Sequence, residues 1–137
     1  MSGRLLLDTN IILGIFRGTP SITRALEAHA GADMCVSVLT KMELLSFHSL
    51  TSEEEAFIMD LLGDVTIIPL NPDVEEAAIR LRRATRRKMP DAIVAASAVV
   101  AGAVLVTCDR ELAATEFPGL ITLNPDASPF VGDEGAR

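Results

Sequence analysis

At 137 residues and 49% hydrophobic content, the chain has the length and apolar material for one domain built on a single continuous core. Two cysteines without CxxC spacing exclude a disulfide framework, no apolar run reaches the roughly 18 to 20 residues of a membrane span, and the lack of Trp and Tyr removes the platforms on which single-stranded bases stack. A net charge of −7 argues on its face against a phosphate-rich partner.

The chain enters RLLLD (4–8) directly, with no long apolar stretch ending in a cleavage site, so a soluble, cytoplasmic protein is expected. That run predicts a strand closing on Asp8, followed by Thr9, Asn10 and a helix over about 10–16. A helix over about 20–30 leads to the strand MCVSV (34–38), and a third helix, about 40–48, carries Glu43. Thr51 or Ser52 before three glutamates starts a helix over about 52–62, which precedes the strand VTIIP (65–69). Asn71 and Pro72 then open a helix over about 73–87. The segment 90–101 is apolar on every side except Asp91 and Ser97, which predicts a buried helix entered through Pro90, with Asp91 in the interior. The strand AVLVT (103–107), a helix over about 109–115 and the strand LITL (120–123) complete the pattern.

Continuous apolar strands alternating with helices predict an α/β fold, a three-layer α/β/α sandwich whose mainly parallel central sheet has about four or five strands. A single domain spans 1–124. The remainder, 125–137, reads as a poorly ordered tail, because SPFVGDEGAR has two glycines and no periodicity.

Charge distribution qualifies the net value. Six of the twelve Lys and Arg residues fall between positions 80 and 88: Arg80, Arg82, Arg83, Arg86, Arg87 and Lys88. Such a cluster can guide phosphate past an acidic whole, although taken alone it reads more readily as the solvated face and C-terminal turn of an ordinary helix.

Four acids stand at element ends, and each has a structural explanation beside the chemical one. Asp8 closes a strand, where parallel sheets place ligands, yet Asp8, Thr9 and Asn10 can all cap a helix. Glu43 lies in line with Leu39 and Phe47, although Thr40 to Glu43 also matches a capping box. Asp91 suits the first turn of its helix through the dipole, but a charge on so apolar a helix needs compensation. Asp109 repeats the Asp8 arrangement after the last long strand. A parallel sheet would gather all four at one edge, within a few ångströms, where their repulsion calls for divalent cations. Oxygen donors without His or Cys select Mg²⁺ or Mn²⁺, and such a site hydrolyses phosphodiesters. His29 and His48 lack partner spacing and read as surface or boundary residues, so a Ser/His/Asp hydrolase has no support. Cys35 and Cys108 read as small buried side chains.

The blocks LLLDTNIIL, SVLTKMELL, KMPDAIVAASA and LVTCDREL, in this order over about residues 4–124, resemble the PIN domain and, within it, the VapC-type toxins of toxin–antitoxin pairs. The resemblance implies a Mg²⁺- or Mn²⁺-dependent ribonuclease whose metal-binding acids match Asp8, Glu43, Asp91 and Asp109. It implies Asn10, Thr107 and Ser37 as supporting polar residues, and Leu112 as the hydrophobic residue after the last acid. It further implies a homodimer and a VapB-like antitoxin that blocks the acidic site. Arg82, Arg83, Arg86, Arg87 and Lys88 are then the cations that guide RNA.

Three other readings compete. A phosphatase-like hydrolase would use Asp8 as nucleophile, but it wants a second Asp where Asn10 stands. A catalytically silent module binding RNA or antitoxin would have no need of all four acids. A PIN nuclease of RNA maturation, outside any toxin pair, shares every residue above.

Overall fold

The computed structural model describes residues 3–127. Its first strand shows why the apolar runs do not alternate. In β1 (Arg4–Leu7), Leu5 and Leu7 pack into one core while Leu6 packs into another, and all three are buried. Where helices cover both faces a strand has no solvent side, so Leu5, Leu6 and Leu7 are all apolar, and only Arg4 at the start of β1 is exposed.

The chain runs on through α1 (Thr9–Arg17), α2 (Pro20–Glu27), β2 (Asp33–Ser37), α3 (Val38–Leu45), α4 (Ser52–Asp64) and β3 (Thr66–Ile68). It continues through α5 (Pro72–Thr85), α6 (Met89–Ala101), β4 (Val104–Val106), α7 (Arg110–Ala113) and β5 (Ile121–Leu123). The five strands form one sheet in the order β3-β2-β1-β4-β5, with every pairing parallel. The three-layer α/β expectation is met, with the sheet wholly parallel.

Two cores sandwich this sheet. Leu6, Cys35 and Leu105 pack with Val74, Ala77, Ala78 and Leu81 of α5, the small residues of α6 and Leu112 of α7. On the other face Leu5, Leu7, Val36 and Val106 meet Ile11 and Ile12 of α1, Ile22 of α2 and Ile58 of α4. Alanines at 92, 95, 96 and 98 let α6 lie close against the strands, and Ser97 returns its hydroxyl to the Ile93 carbonyl at 2.7 Å. Gly14 serves the same end in α1, where a β-carbon would collide with the Ile22 side chain.

The helix starts follow their caps. Thr51 and Glu54 form a reciprocal capping box on α4, and Asn71 accepts from Val74 N ahead of Pro72 on α5. Elsewhere the caps move the predicted boundaries. Ser37 caps α3 by accepting from Leu39 N at 3.1 Å, so this helix begins at Val38 and the expected box from Thr40 to Glu43 does not form. Thr40 lies inside the helix, and its buried hydroxyl has no hydrogen-bond partner among the described residues. Arg86 in the left-handed conformation (φ 62°) stops α5 at Thr85. Among the described residues no helix is long and apolar enough to cross a membrane. The tail expectation falls mostly on residues 128–137, which lie outside the described residues.

Candidate active site

The strand order places the site. The chain works outward from β1 through β2 to β3, then crosses back to lay β4 on the other flank of β1. After β1 it turns into α1 on one face; after β4 it turns into α7 on the opposite face. Adjacent strands whose connections diverge leave a crevice beyond their carboxyl ends, where open α/β sheets bind ligands. Asp8 ends β1 and Asp109 follows β4, so both acids border this crevice.

Asp8 is the backbone cap of α1, and its Oδ1 accepts from Thr9 N at 2.8 Å. The structural role does not exhaust the side chain. Its Oδ2 accepts from the Thr107 hydroxyl at 2.8 Å and from Asn10 Nδ2 at 3.4 Å. Thr107, fully buried at the end of β4, also accepts from Asp109 N at 3.0 Å and from Asn10 Nδ2 at 3.4 Å. Asn10 in turn accepts from Cys108 N through Oδ1 at 3.0 Å. Asn10 and Thr107 thus tie the two strand ends together. Ser37 stands apart, its buried hydroxyl spent on the α3 cap.

Asp109 is exposed and caps α7, accepting from Leu112 N at 3.0 Å, while Leu112 is buried beneath it. Asp91 occupies the first turn of α6 behind Pro90. It is half-buried at the helix end rather than interior, because α6 enters the core only from Ala92 onward. Glu43 lies in the last turn of α3, where its Oε1 accepts from the Thr9 hydroxyl at 3.2 Å. Thr9 is the residue that sequence reasoning missed. In the sequence it reads only as a cap, and nothing local links positions 9 and 43.

The charge of Asp109 reaches both of the other aspartates. Burial pushes the Asp8 carboxyl above its usual range, the Thr107 and Thr9 hydrogen bonds pull it down, and the charge of Asp109 pushes it up. Asp91 is raised first by burial, then by Asp109 and Asp8, against the opposing cations Arg87 and Lys88. Among the described residues no three His, Cys, Asp or Glu side chains stand close enough to enclose a metal ion, so the four acids form an open arrangement looser than the ring expected. An open set still fits a hard cation, since Mg²⁺ keeps several waters and is often held by one or two carboxylates.

The cations divide. Arg82, Arg83, Arg86 and Lys88 are exposed around the turn between α5 and α6, whereas Arg87 is half-buried and pairs with Glu111 at 3.3 Å. Arg80 lies over the Phe117 ring, 6.0 Å from its centroid. His29 and His48 are exposed, as expected of surface residues. Cys35 is buried but Cys108 is only half-buried, and burial pushes both thiols up to about 11, which leaves no thiolate for nucleophilic work.

Comparison with known proteins supplies the context. The family model described as PIN domain matches residues 5–118. A chain of a toxin–antitoxin complex from Klebsiella pneumoniae is 30% identical, with a TM-score of 0.75, over 88% of this chain and 97% of that one. A chain of VapBC2 from Rickettsia felis, solved on a DNA fragment from its promoter, is 22% identical with a TM-score of 0.73, covering 88% of this chain and 98% of that one. A chain of VapBC-1 from nontypeable Haemophilus influenzae is 20% identical with a TM-score of 0.72, covering 89% and 98%. Both of these, below 25% identity, show the fold. A comparison with curated proteins gives no match.

Proposed function

We propose, because this chain belongs to the PIN-domain family, that it is a Mg²⁺- or Mn²⁺-dependent endoribonuclease acting as the toxin of a toxin–antitoxin pair. PIN domains are nucleases. The observation that supports the reading is that Asp109 lies near enough to both Asp8 and Asp91 for its charge to raise their carboxyls, with Asp8 and Asp109 bordering the β1/β4 crevice.

In this reading Asp8, Asp91 and Asp109 hold the cation, and Thr107 and Asn10 fix the orientation of Asp8. A bound divalent cation supplies Lewis-acid polarisation of the phosphodiester and a water of lowered pKa. Glu43, with one oxygen engaged by Thr9, serves with the other as a further ligand or as the acceptor that orients the attacking water. The exposed Arg82, Arg83, Arg86 and Lys88 guide the RNA phosphates toward the crevice. A VapB-like antitoxin is the proposed protein partner, supported by the toxin–antitoxin complexes this chain is similar to. The exposed Leu70, Ile79 and Met89 support a homodimer.

Pure, antitoxin-free protein incubated with total RNA, in Mg²⁺, Mn²⁺ or chelator, tests the activity once the new ends are mapped. Site-specific, cation-dependent cuts are expected, and Asp8→Asn or Asp91→Asn should abolish them with the fold intact. Phosphate released from small monoesters with no RNA cut would instead favour the phosphatase-like reading. A short overlapping reading frame upstream, encoding a DNA-binding antitoxin, separates the toxin role from RNA maturation.

A further inference from the structure

We propose that Arg87 and Glu111 form a strap that sets the separation between Asp91 and Asp109, so that Arg87 is a positioning residue of the acidic site and not one of its RNA guides. The pair is the one ion pair among the described residues, with Arg87 Nη1 3.3 Å from Glu111 Oε1. Its two ends lie where the acids lie. Arg87 immediately precedes Lys88, the cap of α6, whose first turn carries Asp91. Glu111 is the second residue of α7, whose cap is Asp109.

The two ends differ in firmness, which gives the strap a direction. Arg87 is 26% exposed against 83% for Glu111. The Arg87 backbone is pinned on both sides, its N–H donating to Thr85 Oγ1 and its carbonyl accepting from Arg82 Nη1, each at 3.3 Å. The left-handed turn at Arg86 separates it from the exposed helix face that carries Arg82 and Arg83. By contrast α7 is a single turn, held by the buried Leu112 and by Thr122 donating to the Ala113 carbonyl. Asp109 therefore rides on the looser element. Like charges on Asp109 and Asp91 repel, which favours a wider separation of α7 from the start of α6. An attraction from Arg87 to Glu111 opposes that widening where it arises. So exposed a pair contributes little to global stability. Its effect falls on the distance between two carboxylates.

This inference rests on the acids holding a divalent cation, and the test keeps the two apart. Mn²⁺ is titrated into the full-length, RNA-free protein and free Mn²⁺ is followed by electron paramagnetic resonance, for the wild type, Arg87→Gln, Glu111→Gln and Arg87→Lys. The strap predicts Mn²⁺ binding weakened about tenfold in both glutamine variants, the lower end of what losing an outer-shell partner costs. Arg87→Lys should retain most of the wild-type affinity. Simple charge bookkeeping gives the opposite sign for Arg87→Gln, since removing a cation beside an acidic site tightens cation binding. In cleavage assays the strap predicts a lower kcat with the KM for RNA unchanged, whereas an RNA guide predicts a raised KM and unaltered Mn²⁺ binding. Tighter or unchanged binding in Arg87→Gln overturns the strap, as does a Glu111→Gln protein that binds like the wild type. Glu111 is so exposed that its variant reports without endangering the fold. A wild type that takes up no Mn²⁺ overturns the metal-site reading, and the strap falls with it.

Discussion

The Thr107 hydroxyl donates to Asp8 Oδ2 at 2.8 Å across the ends of two neighbouring strands. One short contact thereby links the acid after β1 to the residue that also receives Asp109 N. With its proton given to Asp8, the Thr107 oxygen can accept from Asp109 N and from Asn10 Nδ2, so a single hydroxyl orients both acidic strand ends. Thr107→Val keeps the shape and loses the network. Cation affinity should fall about 10- to 100-fold, and stability by about 1 to 3 kcal/mol because buried polar partners go unpaired. Thr107→Ser should keep both near wild type. Calorimetric titration of Mn²⁺ together with urea unfolding measures the two losses, and a valine variant that binds as well as serine would remove Thr107 from the site.

Asp91 gives a stability prediction whose sign depends on pH. Its folded carboxyl is raised above the ordinary value of 3.8, chiefly by burial and then by Asp109 and Asp8. The folded chain therefore holds this proton to a higher pH than the unfolded chain does. Below 3.8 the group is protonated in both states and costs nothing; as pH rises through the raised folded value, ionisation increasingly penalises the folded state. Asn at this position cannot ionise. The stability of Asp91→Asn relative to wild type, in metal-free buffer, should accordingly climb as pH rises from 3.8 and then level off. Melting temperatures of the two proteins across that interval decide it, and a difference that shrinks with rising pH would contradict the raised carboxyl.

Phosphate guidance is separable from chemistry through salt. Arg83 and Arg86 are exposed, and neither is among the charges that act on Asp8 or Asp91. Replacing both with Ala should raise KM without changing kcat, and should lower the slope of log affinity against log salt by about 1.4, about 0.7 for each single-strand phosphate contact. Fluorescence anisotropy of a labelled RNA on the inactive Asp8→Asn protein measures the slope. An unchanged slope would place the RNA path elsewhere.

Much of this architecture was legible in the residues. The five apolar runs became the five strands, and in β1 the run is apolar throughout Leu5, Leu6 and Leu7 because these alternate between two covered faces. The positions of Asp8 and Asp109 were legible too, since a residue following a parallel strand has little choice of edge. What could not be read was long-range and side-chain in kind. The Thr9 to Glu43 and Arg87 to Glu111 contacts join residues 34 and 24 apart, and periodicity carries no information about such pairs. The capping box at Thr40 failed for a local reason: Ser37, still in the strand, was a cap three residues earlier. Sequence adjacency groups Arg87 with its neighbours, whereas in the fold it follows a left-handed residue, is half-buried and pairs with Glu111.

That residue carries the last prediction. Arg86 is the one non-glycine with positive φ among the described residues, at 62°, and its N–H closes α5 onto the Arg82 carbonyl at 3.0 Å. An L-residue in this conformation crowds its β-carbon against the following carbonyl at a cost of about 1 to 2 kcal/mol, which glycine escapes. Glycine also has more freedom to lose on folding, so the net gain is smaller. Comparing Arg86→Gly with Arg86→Ala isolates the backbone effect, since both delete the same exposed cation and only glycine relieves the crowding. The glycine variant should be more stable than the alanine variant by about 1 kcal/mol in urea unfolding. Both should show the same raised KM for RNA, because the lost charge is common to them. Equal stabilities would mean that the turn relaxes to a right-handed cap once the arginine is gone, and the half-buried setting of Arg87 would then change with it.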